Sequence, residues 1–194
     1  MIRDTRATFP CKSSFLNCEK DTETILRKLF VESKPYSDTL KRLLVVNTKD
    51  CLSNKDSKVI DNAVAAMTLP ELVQKGYITQ VPKMRMPEHE EIKSYIVISF
   101  DNFTPNESNT WYRDGTINFD IISHLDYWDI GDYQIRPLKI AGYIDGILNN
   151  CKLSGIGTLN FIGCNELILG EDLGGYTLTY RAVHGYDDRI EPQE

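Results

Sequence analysis

The chain of 194 residues lacks the marks of several protein classes. Its five cysteines, Cys11, Cys18, Cys51, Cys151 and Cys164, are odd in number and show no paired spacing. That argues against a disulfide framework and fits reduced thiols in a cytoplasmic setting. None of them forms a short two-cysteine knuckle, and His89 and His184 stand apart, so no zinc site is expected. No apolar run approaches the ~18 residues that a membrane helix needs, and no membrane partner is expected. The start, "MIRDTRATFPCKSS", has no apolar core of signal-peptide type, so the expectation is a soluble chain, intracellular when made. Internal repeats and low-complexity tracts are also missing.

Basic clusters are missing too. Lys and Arg number 22 against 28 Asp and Glu, for a net charge of −6. A protein that grips duplex DNA displaces counterions with a basic stripe, and none is present. The acidity suits solubility, and it suits a surface that DNA passes without sticking. No phosphate loop with Gly-Lys-Ser/Thr occurs. Gly155 and Gly157 fall between an expected helix and a following strand, the reverse of the strand-to-helix order of a dinucleotide fingerprint. No cofactor is expected.

Hydrophobic residues at 41% and charged residues at 26% are ordinary globular usage. A chain of this length buries roughly two thirds of its unfolded surface on folding, enough for one domain with an appended segment.

Residues 1–20 read as a polar N-terminal arm, and residues 21–88 as a helical segment. Asp21 is placed to cap a helix carrying Ile25, Leu26, Leu29 and Phe30, which ends at Lys34-Pro35. Ser37 or Asp38 caps a second helix with Leu40, Leu43 and Leu44 on one side. A third opens at Ser57. Thr68-Leu69-Pro70-Glu71 starts a short fourth that Gly76 stops. From about residue 89 the period changes. "IKSYIVISF" reads as a strand buried on much of both faces. "TINFDIISHL" alternates, with Ile117, Phe119 and Ile121 on one face and Asn118 and Asp120 on the other. "DYWDIGDYQIRP" is a loop or bulged edge. A helix follows Pro137, with Leu138, Ala141, Ile144, Ile147 and Leu148 as its apolar stripe. Gly142 and Gly146 on that helix are expected to allow close packing onto a sheet. "TLNFIGCNEL" and "YTLTYRAVHG" are two further strands, with "GEDLGG" as the turn between them, and 187–194 is a polar tail. The predicted fold class is α+β: a mostly antiparallel sheet of four to five strands, one main helix across it, and an N-terminal helical segment, with residues 89–186 as the core unit.

Chemistry concentrates in "FDIISHLDYWDIGDY", residues 119–133. Ser123 and His124 are neighbours on a strand and face opposite ways, which makes a poor catalytic dyad. His124 with Asp126 leaves an acid–imidazole pair with no nucleophile. Counted from Asp126, a calcium loop fails because Trp128 and Ile130 stand where oxygen ligands belong. The aromatics Trp111, Tyr112, Tyr127, Trp128 and Tyr133 remain, either as interface anchors or as a lid over the core. The interface candidates are therefore Trp111, Tyr112, His124, Asp126, Tyr127, Trp128 and Tyr133.

Three stretches, "YIVISFDNFTPNESNTWYRDGTINFDIISHLDYW", "IRPLKIAGYIDGIL" and "GIGTLNFIGCNELILGEDLGGYTLTYRAVHG", resemble the tail terminator (tail completion) proteins of long-tailed bacteriophages. Phe119, Asp120, Ile121, His124 and Trp128 fill that pattern's central segment; Arg136-Pro137, Ile140, Ile144 and Leu148 fill its helix. The resemblance spans roughly residues 90–185 and is one of element order and composition. It implies a homo-hexameric ring at the head–tail neck of the virion, assembled in the host cytoplasm. Such a ring caps the tail tube protein and docks on the head–tail connector or stopper protein. Double-stranded DNA passes non-specifically through its lumen, and no bond is made or broken. "LPELVQKGYITQVPK" is similar to phage neck or connector proteins, which supports a head-closure or connector adaptor as the alternative. A reading of a different class is a small metal- or ligand-binding enzyme using His124, Asp126 and Asp129. On the assembly reading, Trp128→Ala is expected to weaken assembly and leave the fold intact.

Overall fold

The computed structural model describes residues 18–52, 57–80, 94–108 and 112–184. Helix α1 (Cys18–Arg27) runs on into a π-helical turn (Lys28–Glu32). Helices α2 (Tyr36–Val45), α3 (Ser57–Ala66) and α4 (Leu69–Gln74) follow, then strands β1 (Ile78–Thr79), β2 (Ser94–Pro105) and β3 (Arg113–His124). After a 3₁₀ turn (Leu125–Tyr127) come α5 (Arg136–Leu148), the small hairpin β4 (Lys152–Leu153) and β5 (Gly157–Thr158), and strands β6 (Asn160–Ile168) and β7 (Leu173–His184). The architecture is α+β, as expected from the change of period near residue 90.

Two helix starts differ from the expectation. Helix α1 begins at Cys18, three residues before Asp21, and Asp21 lies buried inside it. The Thr22 hydroxyl donates to the Cys18 carbonyl at 2.9 Å, which satisfies that first-turn hydroxyl within the helix. Helix α2 begins at Tyr36 behind Pro35, with no side-chain cap, so neither Ser37 nor Asp38 plays the capping role. Helix α4 matches its sequence signal. Thr68 Oγ accepts the Glu71 N–H at 3.4 Å, and Glu71 Oε2 accepts the Thr68 N–H at 2.7 Å, a reciprocal capping box. Gly76, at φ +80°, ends the turn. The hydrogen bond from the Thr68 backbone, followed by that from its hydroxyl, holds the Glu71 carboxyl below the usual carboxylate range.

The main sheet runs β1-β2-β3-β7-β6, parallel between β1 and β2 and antiparallel elsewhere. Ile117, Phe119 and Ile121 of β3 face the same side as Ile96 and Ile98 of β2 and Leu178 and Tyr180 of β7. Helix α5 packs on that side against β3 and β7, and α2 packs beside it against β2. One apolar core joins Ile25, Leu29 and Phe30, Leu40 to Leu44, and Ile140 to Leu148 with the inner residues of the sheet. Tyr180 packs edge-on to Phe119, and its hydroxyl donates to Asp145 Oδ1 at 2.8 Å. Burial, then that carboxylate, push the phenol far above its ordinary pKa. The opposite side carries a smaller cluster of Tyr95, Val97 and Ile122 with Leu167 and Leu173. Strand β2 is thus buried on both faces over its first half, and Ile122 is covered on the otherwise polar face, both as read from sequence.

Helix α5 turns differently from its expected stripe. Ile140, Ala141, Ile144 and Leu148 are buried, while Leu138 is exposed. Gly142 and Gly146 face open space: a Cβ added at either meets nothing within 4 Å. They are exposed helix glycines, and they provide no close approach to the sheet. The close approach lies elsewhere. Gly174 and Gly175, expected in a turn, are the second and third residues of β7. A Cβ at Gly175 collides with the Ile121 carbonyl of the neighbouring strand.

Gly142→Ala and Gly146→Ala should each raise stability by about 0.5–1 kcal/mol, the helix-interior cost of glycine, in urea unfolding. Gly175→Ala should cost about 3 kcal/mol or more by forcing backbone against backbone. The capping contribution of Glu71 is complete above the ordinary carboxylate range and is lost as pH falls through its lowered folded value. Hydrogen exchange of the α4 amides across that range should show early opening that Glu71→Ala shows at every pH.

Candidate assembly surface

At the end of β3 the chain leaves the sheet through a tightly built corner. His124 caps the 3₁₀ turn, its Nδ1 lying 3.3 Å from the Asp126 N–H and 3.4 Å from Asp126 Oδ2. A nitrogen that accepts the first contact cannot donate in the second, so the two contacts are alternatives. The Tyr127 ring lies edge-on to His124. Ser123 points the other way, where its hydroxyl meets that of Ser94 at 3.0 Å in a buried pair. No Ser–His dyad exists here, as strand alternation requires.

Trp128 folds back onto the sheet. Its indole N–H donates to the Ser123 carbonyl at 3.1 Å, and its ring lies beside Tyr176 and over Gly174, where a Cβ would sit 3.1 Å from the indole. The glycine leaves the space that the ring fills. Trp128 therefore ties the corner to β7, and loss of its side chain is expected to cost stability. This corrects the expectation that Trp128→Ala spares the fold.

Beyond Trp128 a bridge between Asp129 and Ile135 closes a small loop. Ile130 is buried and anchors the base. Asp129 Oδ1 accepts the Gly131 N–H at 2.9 Å, and Oδ2 receives Lys49 Nζ at 3.2 Å. The first contact, then Lys49, lower the Asp129 pKa. Gly131, Asp132 and Tyr133 all take positive φ, at +79°, +49° and +59°. Two consecutive left-handed residues that are not glycine carry backbone strain. The strained apex throws the Tyr133 side chain fully into solvent, at 107% relative exposure.

Arg136 holds this corner in place. It is fully buried and donates four hydrogen bonds: Nε to Tyr127 O at 2.7 Å, Nη1 to Leu43 O at 2.7 Å and Val46 O at 2.8 Å, and Nη2 to Thr48 O at 2.7 Å. Three of those carbonyls belong to the end of α2 and the loop after it, where unpaired helix carbonyls and the helix dipole favour a cation. Burial lowers the guanidinium pKa, and burial raises that of the neighbouring Cys51 thiol, which Arg136 partly offsets.

The predicted surface residues do not form one patch. His124, Asp126, Tyr127, Trp128 and Tyr133 share the corner. Tyr112 is exposed at the opposite end of the 12-residue β3, which at about 3.3 Å per residue lies roughly 35–40 Å away. Trp111 lies outside the described residues. The enzyme reading needs His124, Asp126 and Asp129 together, yet both Asp129 oxygens are engaged by Gly131 and Lys49. Among the described residues, no group of three His, Cys, Asp or Glu is placed to hold a metal ion. Sequence reading missed the role of Arg136, although an arginine directly before the proline of a helix start was visible. It also missed the outer strand. The last described strand in sequence, β7, is interior; among the described strands the edge beyond it is β6, where Phe161, Ile162 and Ile168, with Leu169 just beyond, are exposed. Apolar pairs flanking "GCNE" were the available signal.

A family model described as YomW matches residues 37–182. The chain belongs to this YomW family, which is phage-derived. No curated protein matches it in sequence. Among solved structures it is similar to a chain of the virion of a native gene transfer agent particle, at 16% identity and a TM-score of 0.41, covering 62% of this chain and 87% of that one. That likeness is too slight to carry a role across.

Arg136→Met should cost about 3 kcal/mol in urea unfolding, because it strands buried carbonyls from two segments. Arg136→Lys, a point donor in place of a fork, should recover only part of it. Trp128→Ala should lower stability by about 2 kcal/mol, whereas Tyr133→Ala should leave the melting temperature unchanged or raise it.

Proposed function

We propose that this chain is a structural protein of a phage virion, acting at the head–tail neck as a ring that ends the tail tube and joins it to the capsid connector. The carrying observation is the strained, solvent-thrust loop at Tyr133 in a chain of a phage-derived family. Strain of this kind clusters at active sites, ligand clamps and switch regions. A rigid corner bearing Tyr133, Tyr127 and Asp126 has the form of a docking surface: aromatic anchors at the centre, solvated acids at the rim.

The mechanism is geometric. One side of the ring repeats the contact that a tube ring offers its neighbour, and the other side cannot receive a further tube ring. A head-to-tail contact between copies closes by rotation into a ring, a hexamer on this reading. The net charge of −6 lets DNA traverse the opening without being held.

Negative-stain microscopy of the purified chain mixed with tube protein tests this. The expected result is rings with a central hole, seated on tube ends. Tyr133→Ala in the phage should leave tails overlong and unjoined. Tails of normal length that fail to join heads would instead indicate the connector adaptor. Normal infectious particles from that variant would sink the neck reading.

A further inference from the structure

Strand β6 is the outermost strand of the sheet, and its residues are exposed along most of its length on both faces. The Leu169 N–H donates to the Leu173 carbonyl at 3.0 Å. In an antiparallel ladder the direction alternates, so Leu167, Asn165 and Gly163 also turn their backbone polar groups toward β7. Ile168, Glu166 and Cys164 turn theirs outward, away from the sheet. An edge of this kind is a template for another strand.

The side chains on this edge are arranged symmetrically. Phe161 and Ile162 stand at one end, Ile168 and Leu169 at the other, and Gly163, Cys164, Asn165 and Glu166 between them. Reversing the strand about Asn165 sets Cys164 opposite Glu166 of a second copy and brings Ile162, in the bulge, beside Ile168. Within the ladder, the outward backbone groups of Cys164 and Glu166 then meet those of Glu166 and Cys164. A one-residue shift destroys that match. A two-residue shift sets Glu166 against Glu166 of the second copy, or Ile162 against Glu166, and like charges directly opposite are destabilising. The bulge between Phe161 and Gly163 ends the regular ladder at Gly163, and beyond it the Phe161 N–H donates to Asn149 Oδ1 at 3.3 Å.

We propose that the free chain pairs β6 antiparallel with β6 of a second copy, centred on Asn165, which makes one continuous sheet through a two-fold dimer. A two-fold contact cannot by itself close a six-fold ring. The dimer is therefore a form of the chain before assembly, covering a strand edge that would otherwise recruit other chains. This inference stands on the geometry of β6 and does not depend on the neck reading.

Sedimentation equilibrium on the full chain should show a dimer. Ile162→Lys and Ile168→Lys should each raise its dissociation constant at least tenfold, with circular dichroism unchanged. Register is tested in a Cys164→Ser background. There, Asn165→Cys places two thiols on a non-hydrogen-bonded pair about 4.5 Å apart at Cα, and mild oxidation should link the dimer. Glu166→Cys places them two residues out of register, beyond the ~7 Å that a disulfide spans, and should not link. A monomer at every concentration, or linking at residue 166 equal to that at 165, overturns the proposal. Rings as the sole free species also overturn it while upholding the neck reading; a dimer that never engages a tube does the reverse.

Discussion

The Arg136 guanidinium sits without contact to solvent, and beside the Cys51 thiol it meets four backbone carbonyls from two distant parts of the chain. A buried cation is tolerable only where oxygen atoms surround it. Here the end of α2 and the corner after β3 supply those atoms together. The first residue of α5 thus decides how the N-terminal helices meet the sheet. The path from Trp128 to Ile135 follows from it, because the corner is held from inside by Arg136 and from the sheet by Trp128.

That frame explains how a strained loop can sit at the molecular surface. Left-handed backbone at Asp132 and Tyr133 persists only where the surroundings over-determine it. The bridge at Asp129 and Ile135, the buried Ile130 and the Lys49 contact do so. Rigid presentation of a large aromatic lowers the ordering cost of docking, and this is the physical reason to read the corner as a recognition element. The opposite edge of the sheet works differently. Strand β6 offers an edge that no other described strand pairs, with apolar residues at its ends, a surface suited to extension of the sheet.

Much of the fold was legible from local patterns. The capping box at Thr68 and Glu71 and the alternation through Ile117, Phe119 and Ile121 are near-neighbour effects, so the residues that cause them lie within a few positions of one another. The failures were of another kind. Gly142 and Gly146 suggested close packing by their spacing, yet α5 rotates them toward solvent because Ile140 and Leu148 carry more apolar area into the core. Gly174 and Gly175 looked like turn residues, yet their role is set by Ile121 and Trp128, some fifty residues away. The seven candidate surface residues looked like one cluster because β3 is short in sequence, although a fully extended strand is the longest path that so few residues can make.

By itself the sequence determined the class of the fold and the order of its longer helices and strands, since period, capping and spacing act locally; the short β1 and the β4–β5 hairpin were not read from it. The tertiary structure alone decided which strand is the edge, what Arg136 neutralises and which aromatic faces solvent. Those depend on pairing between segments far apart in the chain, and no local pattern encodes which distant carbonyl or glycine a side chain will meet.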